Sequence, residues 1–388
     1  MIPPPHGGRM VDRVLPEPER ARRRSELKDL PKLSPFIDQV FDAEKIAIGA
    51  YSPLEGFADS ETIRSICTTT CLPNGLPWAI PIVLTTRGKA DSATIGGLKP
   101  GDDLALLDTT GRFFALLHLE EIFPFDAKEV AAGAYGTTDP SHPNVADLYQ
   151  LGTTGLAGKV DLLERLPGPG GEIEPTPDDV RAEFARRGWS NVAGYQTRNV
   201  PHTAHEYLQR CTLERSDVDG LFIHPVVGRL KKGDYRSEVI LDAYRTLVQH
   251  YYPADRVYLS PLNMTMRYAG PKGALFFAII RKNYGCGLYI VGRDQAGVGK
   301  FYDPFACHRI FDEFPIGIIP LLYEATYYCR KCGWMASPKT CAHSAEWHVD
   351  TSQTRIRAAL STGENLPTEI IRPEIAEILR RGDVLLVE

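Results

Sequence analysis

The sequence has no long hydrophobic run, few cysteines and no excess of basic charge. Its longest apolar stretch is residues 273–280, far short of the roughly 20 residues that a transmembrane helix needs. Eight cysteines among 388 residues are too few for a disulfide scaffold, and 44 basic against 49 acidic residues argue against a general nucleic-acid surface. The amino terminus also lacks the basic-then-apolar pattern of a signal peptide. We therefore expect a soluble, cytoplasmic protein with neither a membrane nor a nucleic-acid partner.

The pattern of the chain changes near residue 166. Between about residues 45 and 163, apolar runs such as 80–84, 104–107 and 113–119 are separated by turn signals, which predicts a compact β-rich domain. The segment 166–171, Leu-Pro-Gly-Pro-Gly-Gly, is typical of a linker. Beyond it the pattern alternates between helices and strands, which predicts a parallel sheet flanked by helices. Three domains are predicted: 1–165, 172–325 and 326–388.

The elements of the second domain follow from local signals. Thr176-Pro177 opens a predicted helix, because a capping residue is followed by proline at the first helical position. In the first domain, the segment 16–24 mixes acids and arginines, which predicts a solvated helix or arm. Helices of the second domain are predicted at 176–187, from 201 onward, 237–251 and 272–283. Its strands are predicted at 191–196, 220–224, 256–259 and 287–291.

One loop gathers groups that suit an anion. The segment from Gln196 to Glu206 reads Gln-Thr-Arg-Asn-Val-Pro-His-Thr-Ala-His-Glu and joins a strand to a helix that is predicted to begin at Pro201. His202 and His205 are three residues apart and share one face of the first turn. The helix dipole and the free N–H groups favour phosphate at that end. With an arginine and an asparagine just before the helix, the loop predicts a site for a polyanion.

A second loop follows another predicted strand. Residues Gly292 to Gly299 read Gly-Arg-Asp-Gln-Ala-Gly-Val-Gly, and such small residues let the backbone approach a ligand closely. Arg293 adds a planar guanidinium that suits phosphate. Gly299-Lys300 resembles the end of a P-loop, but an aspartate replaces the first glycine of that motif, and Phe301 replaces the hydroxyl residue that would hold magnesium. We therefore exclude a Walker A motif.

Two more basic segments could line the same cleft. Residues 224–234 follow a predicted strand and contain Arg229, Lys231 and Lys232. Residues 352–357 precede a short predicted helix and could present another helix amino terminus to phosphate. The alternatives are a solvated loop for the first segment and a capped helix with exposed arginines for the second.

These loops resemble motifs of the ATP sulfurylase (sulfate adenylyltransferase) family. Residues 196–206 are similar to the family motif Q-x-R-N-P-x-H-x-x-H, and residues 292–297 are similar to G-R-D-H-A-G. Residues 49–57, which read Gly-Ala-Tyr-Ser-Pro-Leu-Glu-Gly-Phe, resemble an amino-terminal segment of the family, and residues 135–143 and 279–285 are also family-like. The resemblance is specific because it rests on five ordered motifs, and it extends over nearly the whole chain.

The resemblance implies an α/β multidomain fold and an enzyme. The three predicted parts would be a PUA-like β domain, a Rossmann-like nucleotidyltransferase domain with a parallel sheet, and a small C-terminal domain with zinc. The reaction would be ATP + sulfate ⇌ adenylyl sulfate (APS) + diphosphate, with Mg²⁺ arriving on ATP. A homodimer or higher homo-oligomer is expected from the family. Because the chain lacks a P-loop and stops too soon for a fused kinase domain, adenylyl sulfate kinase activity is not expected.

The resemblance also implies roles for individual residues. Sulfate would be bound by Gln196, Arg198 and the backbone N–H of Ala296, and the two histidines would stabilise charge on the phosphates in the transition state. The catalytic residues would be Thr197, Arg198, Asn199, His202 and His205. Eight residues would contact ATP: Gln196, Thr197, Arg198, Asn199, Gly292, Arg293, Asp294 and Gln295.

Two positions depart from the family motifs. The family order Asn-Pro-x-His is replaced by Asn199-Val-Pro-His202, so the proline is displaced by one residue but still lies at the helix start. Gln295 replaces the histidine of G-R-D-H. Glutamine can donate a hydrogen bond but cannot carry charge, so any step that needs a cation at this position would be weakened.

A cysteine and histidine cluster near the carboxyl end predicts a metal site. Cys329 and Cys332 form a Cys-x-x-Cys pair, followed by Cys341, His343 and His348, a ligand set typical of closed tetrahedral zinc sites. His348 is preferred as the fourth ligand because of its roomier spacing, and His343, which needs a tight turn, is the alternative. A redox dithiol and unliganded thiols are the other interpretations. The resemblance supports structural zinc, because some prokaryotic family members hold zinc in this region.

Two rival functions differ from the favoured one in testable ways. Another nucleotidyltransferase of the histidine-pair superfamily would show no sulfate dependence. A non-catalytic RNA- or nucleotide-binding protein would be expected to carry a basic, aromatic-rich stripe, which the sequence lacks. For the favoured reaction, sulfate is already ionised and needs no general base. We therefore expect in-line attack on the α-phosphorus, with catalysis by positioning and charge neutralisation.

Overall fold

A mostly antiparallel β-sheet forms the centre of the N-terminal part. The computed structural model describes residues 2–386, apart from the side chains of residues 89, 90, 92 and 93. The sheet has the strands β1 (Lys32–Leu33), β2 (Gly56–Phe57), β3 (Leu84–Thr85), β4 (Asp103–Leu107), β5 (Phe113–Pro124) and β6 (Thr154–Leu162). Their order is β1-β4-β5-β6-β2, with β3 also paired to β6. The predicted β-rich domain is confirmed, although the run 80–84 becomes a strand only at its last residue, since Pro81 has no N–H for a ladder.

Helices occupy more of this part than the sequence indicated. They are α1 (Glu17–Glu26), α2 (Ile37–Ala47), α3 (Ser60–Thr69), α4 (Ser92–Ile95), α5 (Ala127–Tyr135) and α6 (Pro143–Leu148). The helix predicted near residues 16–24 is α1, but the strand-like interpretation of residues 45–163 is wrong for α3, α5 and α6. Aspartate caps explain two of them: Asp59 accepts a hydrogen bond from the Thr62 N–H, and Asp126 accepts one from the Lys128 N–H. Such caps stabilise a helix start.

A second sheet is entirely parallel, which confirms the predicted fold of the central part. Its strands are β7 (Val192–Thr197), β8 (Gly220–Pro225), β9 (Val257–Leu259), β10 (Leu288–Val291) and β11 (Ile319–Leu322). Its helices are α7 (Pro177–Arg186), α8 (Thr203–Leu213), α9 (Ser237–Tyr251), α10 (Gly270–Asn283) and α11 (Ala306–Glu313). The strand order is β11-β10-β7-β8-β9, so the order reverses between β7 and β10. Open parallel sheets bind ligands at such a reversal, outside the carboxyl ends of the strands.

The carboxyl-terminal part packs onto this parallel-sheet domain. It has a small antiparallel sheet of β12 (Tyr327–Cys329), β13 (Trp334–Ala336) and β14 (His348–Val349), followed by α12 (Gln353–Thr362) and α13 (Pro373–Arg380). Ile356 and Ile375 are buried in one core with Tyr235 and Tyr244 of the central part. The two parts therefore share a hydrophobic core.

The last described residues return to the loop that precedes α9. Leu385 forms an isolated antiparallel bridge with Tyr235. The N–H of Leu386 donates to the carbonyl of Asp234 at 2.8 Å, and the N–H of Arg236 donates to the carbonyl of Val384 at 2.9 Å. The segment 384–386 therefore acts as an added strand along residues 233–236. Within residues 2–386, no helix is long and apolar enough to span a membrane.

A buried ion-pair network joins the N-terminal part to the segment that precedes α7. Lys45 on α2 is fully buried, and its Nζ contacts the carboxylate of Glu44 at 2.8 Å and that of Glu174. Arg165 donates to Glu44 at 2.9 Å, and the N–H of Asn263 donates to Glu174 at 2.5 Å. Because an unpaired buried charge is costly, these contacts fix how the two parts meet.

Candidate active site and metal centre

The two loops identified in the sequence lie side by side at the reversal of strand order. Neighbouring strands β7 and β10 are parallel, so their carboxyl ends meet at one edge of the sheet. The guanidinium of Arg198 donates to the carbonyl of Gly297 at 3.3 Å and links the loops directly. The cleft between them has a volume of about 290 Å³. Its lining includes every residue that the sequence assigned to ATP or sulfate: Gln196, Thr197, Arg198, Asn199, His202, His205, Gly292, Arg293, Asp294, Gln295 and Ala296.

The rings of the two histidines stack obliquely at the start of α8, with centroids 3.8 Å apart and planes inclined by 31°. The helix begins at Thr203 rather than at Pro201. His202 is its N-cap, and the Nδ1 of this residue accepts a hydrogen bond from the N–H of Ala204 at 3.2 Å. Burial, together with the neighbouring His205, lowers the pKa of His202 well below its ordinary value, and burial lowers the pKa of His205 to about 4. Both rings are therefore neutral at pH 7, and His202 can donate only through Nε2.

Arg198 is held in place by three neighbours. Besides the carbonyl of Gly297, its guanidinium lies over the ring of Tyr268, at 4.9 Å from the ring centroid. Its Nε is 3.6 Å from the carboxylate of Asp234, which is fully buried. Neither Asp234 nor Tyr268 could be identified as a site residue from the sequence. A lone acid at the end of a basic string and a tyrosine in an apolar segment give no signal until the fold brings them to Arg198.

Gln295 contacts Gln196, the residue that was assigned to both substrates. The Nε2 of Gln295 donates to the Oε1 of Gln196 at 2.5 Å and to the hydroxyl of Tyr289 at 3.2 Å. With its oxygen occupied in this way, Gln196 faces its remaining contacts through the amide NH₂ group. The residue that departs from the family motif therefore orients a neighbouring side chain, a role that needs no charge.

The glycine-rich loop has a strained backbone at its centre. Asp294 and Ala296 have φ values of 56° and 57°, in the left-handed region that is costly for residues other than glycine and that recurs at ligand sites. Ala296 is buried, and a Cβ at Gly273 of α10 would lie 2.8 Å from the Cβ of Ala296, so glycine is required there. Among residues 2–386, no group accepts a hydrogen bond from the Ala296 N–H. This N–H is available to a ligand.

The first basic segment behaves differently from the expectation. Arg229 does not line the cleft, because its guanidinium donates to Asp38 at 2.7 Å and to Asp147 at 2.8 Å, both in the N-terminal part. Lys231 lies 3.3 Å from the carboxylate of Asp234, behind the cleft. Lys232 is exposed and is not among the lining residues.

The second basic segment does reach the site. Ser352 is the N-cap of α12 and lines the cleft. Arg357 donates to the side-chain oxygen of Asn199 at 2.7 Å, and the side chain of Gln353 donates to the carbonyl of Val200 at 2.8 Å. Helix α12 therefore supports the loop that carries the histidines.

Three cysteines and one histidine come together beside the small antiparallel sheet, with all four ligand atoms within 4.8 Å of one another. The Nδ1 of His343 lies 3.4 Å from the Sγ of Cys329, 3.2 Å from that of Cys332 and 3.5 Å from that of Cys341. The Sγ atoms of Cys332 and Cys341 are 3.7 Å apart. Tetrahedral zinc, with bonds of about 2.3 Å to sulfur and about 2.0–2.1 Å to nitrogen, requires S···S near 3.8 Å and S···N near 3.5 Å. The four residues therefore fit a tetrahedral metal ion.

The structure brings His343, and not the preferred His348, to this group. His348 lies on β14 and stacks on Tyr327, with ring centroids 3.7 Å apart, and its Nε2 is 3.9 Å from the Sγ of Cys341. The tight turn that His343 needs is present, since its backbone N–H donates to the Sγ of Cys341 at 3.4 Å. Sequence spacing alone could not show this turn.

Comparisons with known proteins agree with this geometry. A family model described as ATP-sulfurylase matches residues 171–382, and one described as a PUA-like domain matches residues 3–165. The chain is 44% identical to the sulfate adenylyltransferase of Hyperthermus butylicus, over 98% of this chain and 96% of that protein. It is 45% identical to the sulfate adenylyltransferase of Symbiobacterium thermophilum, over 97% and 95%.

A solved structure extends the comparison to the fold. The structure is described as a hexameric APS kinase from Thiobacillus denitrificans; it superposes with a TM-score of 0.78 at 25% identity and covers 99% of this chain and 69% of that chain. The full-length similarity to curated relatives, together with the two family models, leads to one conclusion: the chain belongs to the ATP sulfurylase family.

Proposed function

We propose that the protein is a sulfate adenylyltransferase, which converts ATP and sulfate to adenylyl sulfate and diphosphate. One observation carries the proposal: Arg198, the stacked histidines and the glycine-rich loop meet in one cleft at the reversal of strand order. Two mutually repelling oxyanions need fixed hydrogen-bond donors and cationic groups, and Arg198 and Arg293 supply guanidinium groups in this cleft. The sulfate adenylyltransferase relatives, at 44–45% identity, support the same reaction.

The residues support a direct displacement. An oxygen of sulfate attacks the α-phosphorus, the bond from that phosphorus to the bridging oxygen breaks, and diphosphate leaves with the electron pair. Sulfate is bound by the amide NH₂ of Gln196, the guanidinium of Arg198 and the backbone N–H of Ala296. Because sulfate is already ionised, no protein group has to accept a proton, and catalysis consists of positioning and charge stabilisation.

The remaining cleft residues are assigned to the nucleotide. Thr197 and Asn199 complete the catalytic loop, and Gly292, Arg293, Asp294 and Gln295 contact ATP. His202 and His205 donate hydrogen bonds to the phosphates as neutral rings, and the negative charge of bound phosphates raises the pKa values of both rings. Charge that develops on the leaving diphosphate is therefore stabilised where the two rings stack.

Two metal ions belong to this proposal. Zn²⁺ is held by Cys329, Cys332, Cys341 and His343, where it cross-links the small antiparallel sheet and takes no part in the chemistry. Mg²⁺ enters with ATP, because this ion keeps several of its waters and binds the phosphates of the nucleotide. Metal analysis of the undenatured protein should give one zinc per chain, and Cys341→Ser should lose it. Less than one zinc in the wild-type protein would contradict the assignment.

The proposal also covers the assembly state, the cellular location and the division into domains. The family supports a homodimer or higher homo-oligomer, and light scattering coupled to gel filtration would measure it. The use of ATP supports a cytoplasmic location. The proposed domains are 1–165, 172–325 and 326–388, and the second and third of them share a hydrophobic core.

A pyrophosphate-release assay tests the function. With Mg-ATP, release should depend on sulfate, and molybdate should replace sulfate by forming an unstable product, with futile cleavage of ATP. His202→Ala or His205→Ala should reduce kcat far more than the affinity for sulfate. Arg198→Ala should reduce both kcat and the affinity for sulfate. His250→Ala is the matched control, because His250 is an exposed histidine on α9. Pyrophosphate release that does not depend on sulfate would favour a different nucleotidyltransferase. Near-normal turnover in all three cleft variants would refute the roles assigned to these residues.

A further inference from the structure

A single buried carboxylate lies behind the cleft among three cationic side chains. Asp234 is fully buried. Its oxygens lie 3.2 Å from Nη2 of Arg357, 3.3 Å from Nζ of Lys231 and 3.6 Å from Nε of Arg198. The hydroxyl of Tyr268 donates to Asp234 at 2.7 Å. Asp234 is not among the residues that line the cleft, so it acts on a ligand only through these neighbours.

The contacts with Asp234 restrain Arg198 in particular. Asp234 faces the Nε, the carbonyl of Gly297 accepts from Nη2, and the ring of Tyr268 lies against the flat face of the guanidinium. The hydroxyl of that same ring is held by Asp234. Removing the carboxylate would therefore loosen two of the three supports of Arg198. An arginine that is already ordered loses less side-chain entropy when it binds an anion.

Asp234 also reaches the catalytic loop by a second route. Arg357, which contacts the carboxylate, donates to the side-chain oxygen of Asn199 at 2.7 Å. Because arginine can only donate, the amide of Asn199 must present its oxygen to Arg357 and its NH₂ group elsewhere. The carboxylate of Asp234 therefore acts on two residues of the catalytic loop, on Arg198 directly and on Asn199 through Arg357.

The charge balance is compatible with an anion site. One carboxylate among three cations leaves a net charge of about +2 within this group of four residues, so Asp234 orders Arg198 without neutralising the group. We propose that Asp234 is a positioning residue, which fixes Arg198 for sulfate and, through Arg357, orients Asn199. This inference rests on the proposed function and adds a residue that does not touch substrate.

The test compares two buried aspartates. Asp234→Asn keeps the size and an acceptor for Tyr268 but removes the charge, and it should lower kcat/KM for sulfate by roughly tenfold to a hundredfold at saturating Mg-ATP. Asp42→Asn is the matched control. Asp42 is also buried and pairs with Arg267 at 2.5 Å, but it lies outside the cleft. It should lower the thermal midpoint and leave KM for sulfate within about twofold.

A double-mutant cycle shows whether Asp234 acts through Arg198. In an Arg198→Lys background, Asp234→Asn should lose the part of its effect on kcat/KM that acts through Arg198 and keep the part that acts through Arg357 and Asn199, since coupled residues are not additive. The same fold-loss in both backgrounds would overturn the proposal. So would an Asp234→Asn protein that melts earlier but has wild-type kcat/KM.

Kinetics of a Tyr268→Phe variant and of the wild-type protein complete the test. If Asp234→Asn does not fold, Tyr268→Phe removes only the hydroxyl that holds Asp234 and keeps the ring under Arg198. It should lower kcat/KM for sulfate in the same direction, and an unchanged value would overturn the proposal. The activity of the wild-type protein distinguishes a failure of the proposed function from a failure of the role assigned to Asp234. Absence of sulfate-dependent release would refute the proposed function and the inference together, whereas normal wild-type release with unaffected variants would refute the inference alone.

Discussion

The stacked histidines lead to a prediction about charge in the ligand-free enzyme. With the pKa of His205 lowered to about 4, only about one ring in a thousand is protonated at pH 7. The pKa of His202 is also lowered by burial and by His205. We expect both rings to be neutral donors before ATP arrives. Each unit by which bound phosphates raise one of these pKa values adds about 1.4 kcal/mol to ATP binding at low pH.

NMR titration of the histidine Cε1 protons measures this directly. The two resonances, assigned with His202→Gln and His205→Gln, should not move between about pH 5.5 and 8 in the free protein. Saturating Mg-ATP should bring their titration toward that range. His118 serves as the internal comparison, because hydrogen bonds from its ring to Asp161 and Asp103 raise its pKa, the opposite direction from the stacked pair. Titration of the stacked pair near pH 6.5 in the free protein would refute the reasoning.

Two other predictions follow from contacts described above, and a third concerns a buried histidine near the amino terminus. Gln295→Ala should raise KM for sulfate by roughly tenfold, since Gln196 loses the donor that orients its amide; steady-state kinetics with a change confined to ATP would contradict this. His6 is buried and its pKa is lowered to about 4, so stability should fall by up to about 3 kcal/mol as pH drops from about 6.5 to 4. Urea unfolding should show a flatter pH profile for His6→Gln, and identical profiles would contradict the assignment. Lys45→Met should cost about 3–5 kcal/mol in urea unfolding, because buried Glu174 loses its cationic partner and buried Glu44 keeps only Arg165, and a loss below about 1 kcal/mol would argue against this network.

The sequence was most informative where a simple geometric rule applies. Loops after parallel strands meet at one edge of a sheet, so the segments at 196–206 and 292–299 could be predicted to share a cleft before any coordinates were known. Helix α9 is predicted at about 237–251, and the structure has the same bounds.

Features that depend on distant partners could not be predicted. Arg229 has the sequence context of a substrate ligand. In the structure it instead donates to Asp38 and Asp147 of the N-terminal part, outside the cleft. Asp234 and Tyr268 become meaningful only when they meet at Arg198. The exchange of His348 for His343 depends on a turn of a few residues, whose geometry is set by sulfur acceptors rather than by sequence spacing.

The return of residues 384–386 to the loop before α9 has a practical consequence for protein engineering. This segment hydrogen-bonds to the backbone at Asp234 and Arg236, so one of the most distant stretches of sequence braces the support of the catalytic arginine. An insertion into this segment, or a proline in place of Leu386, whose N–H donates to the carbonyl of Asp234, would break that pairing. Engineered variants intended for kinetic measurements should therefore keep residues 384–386 unchanged.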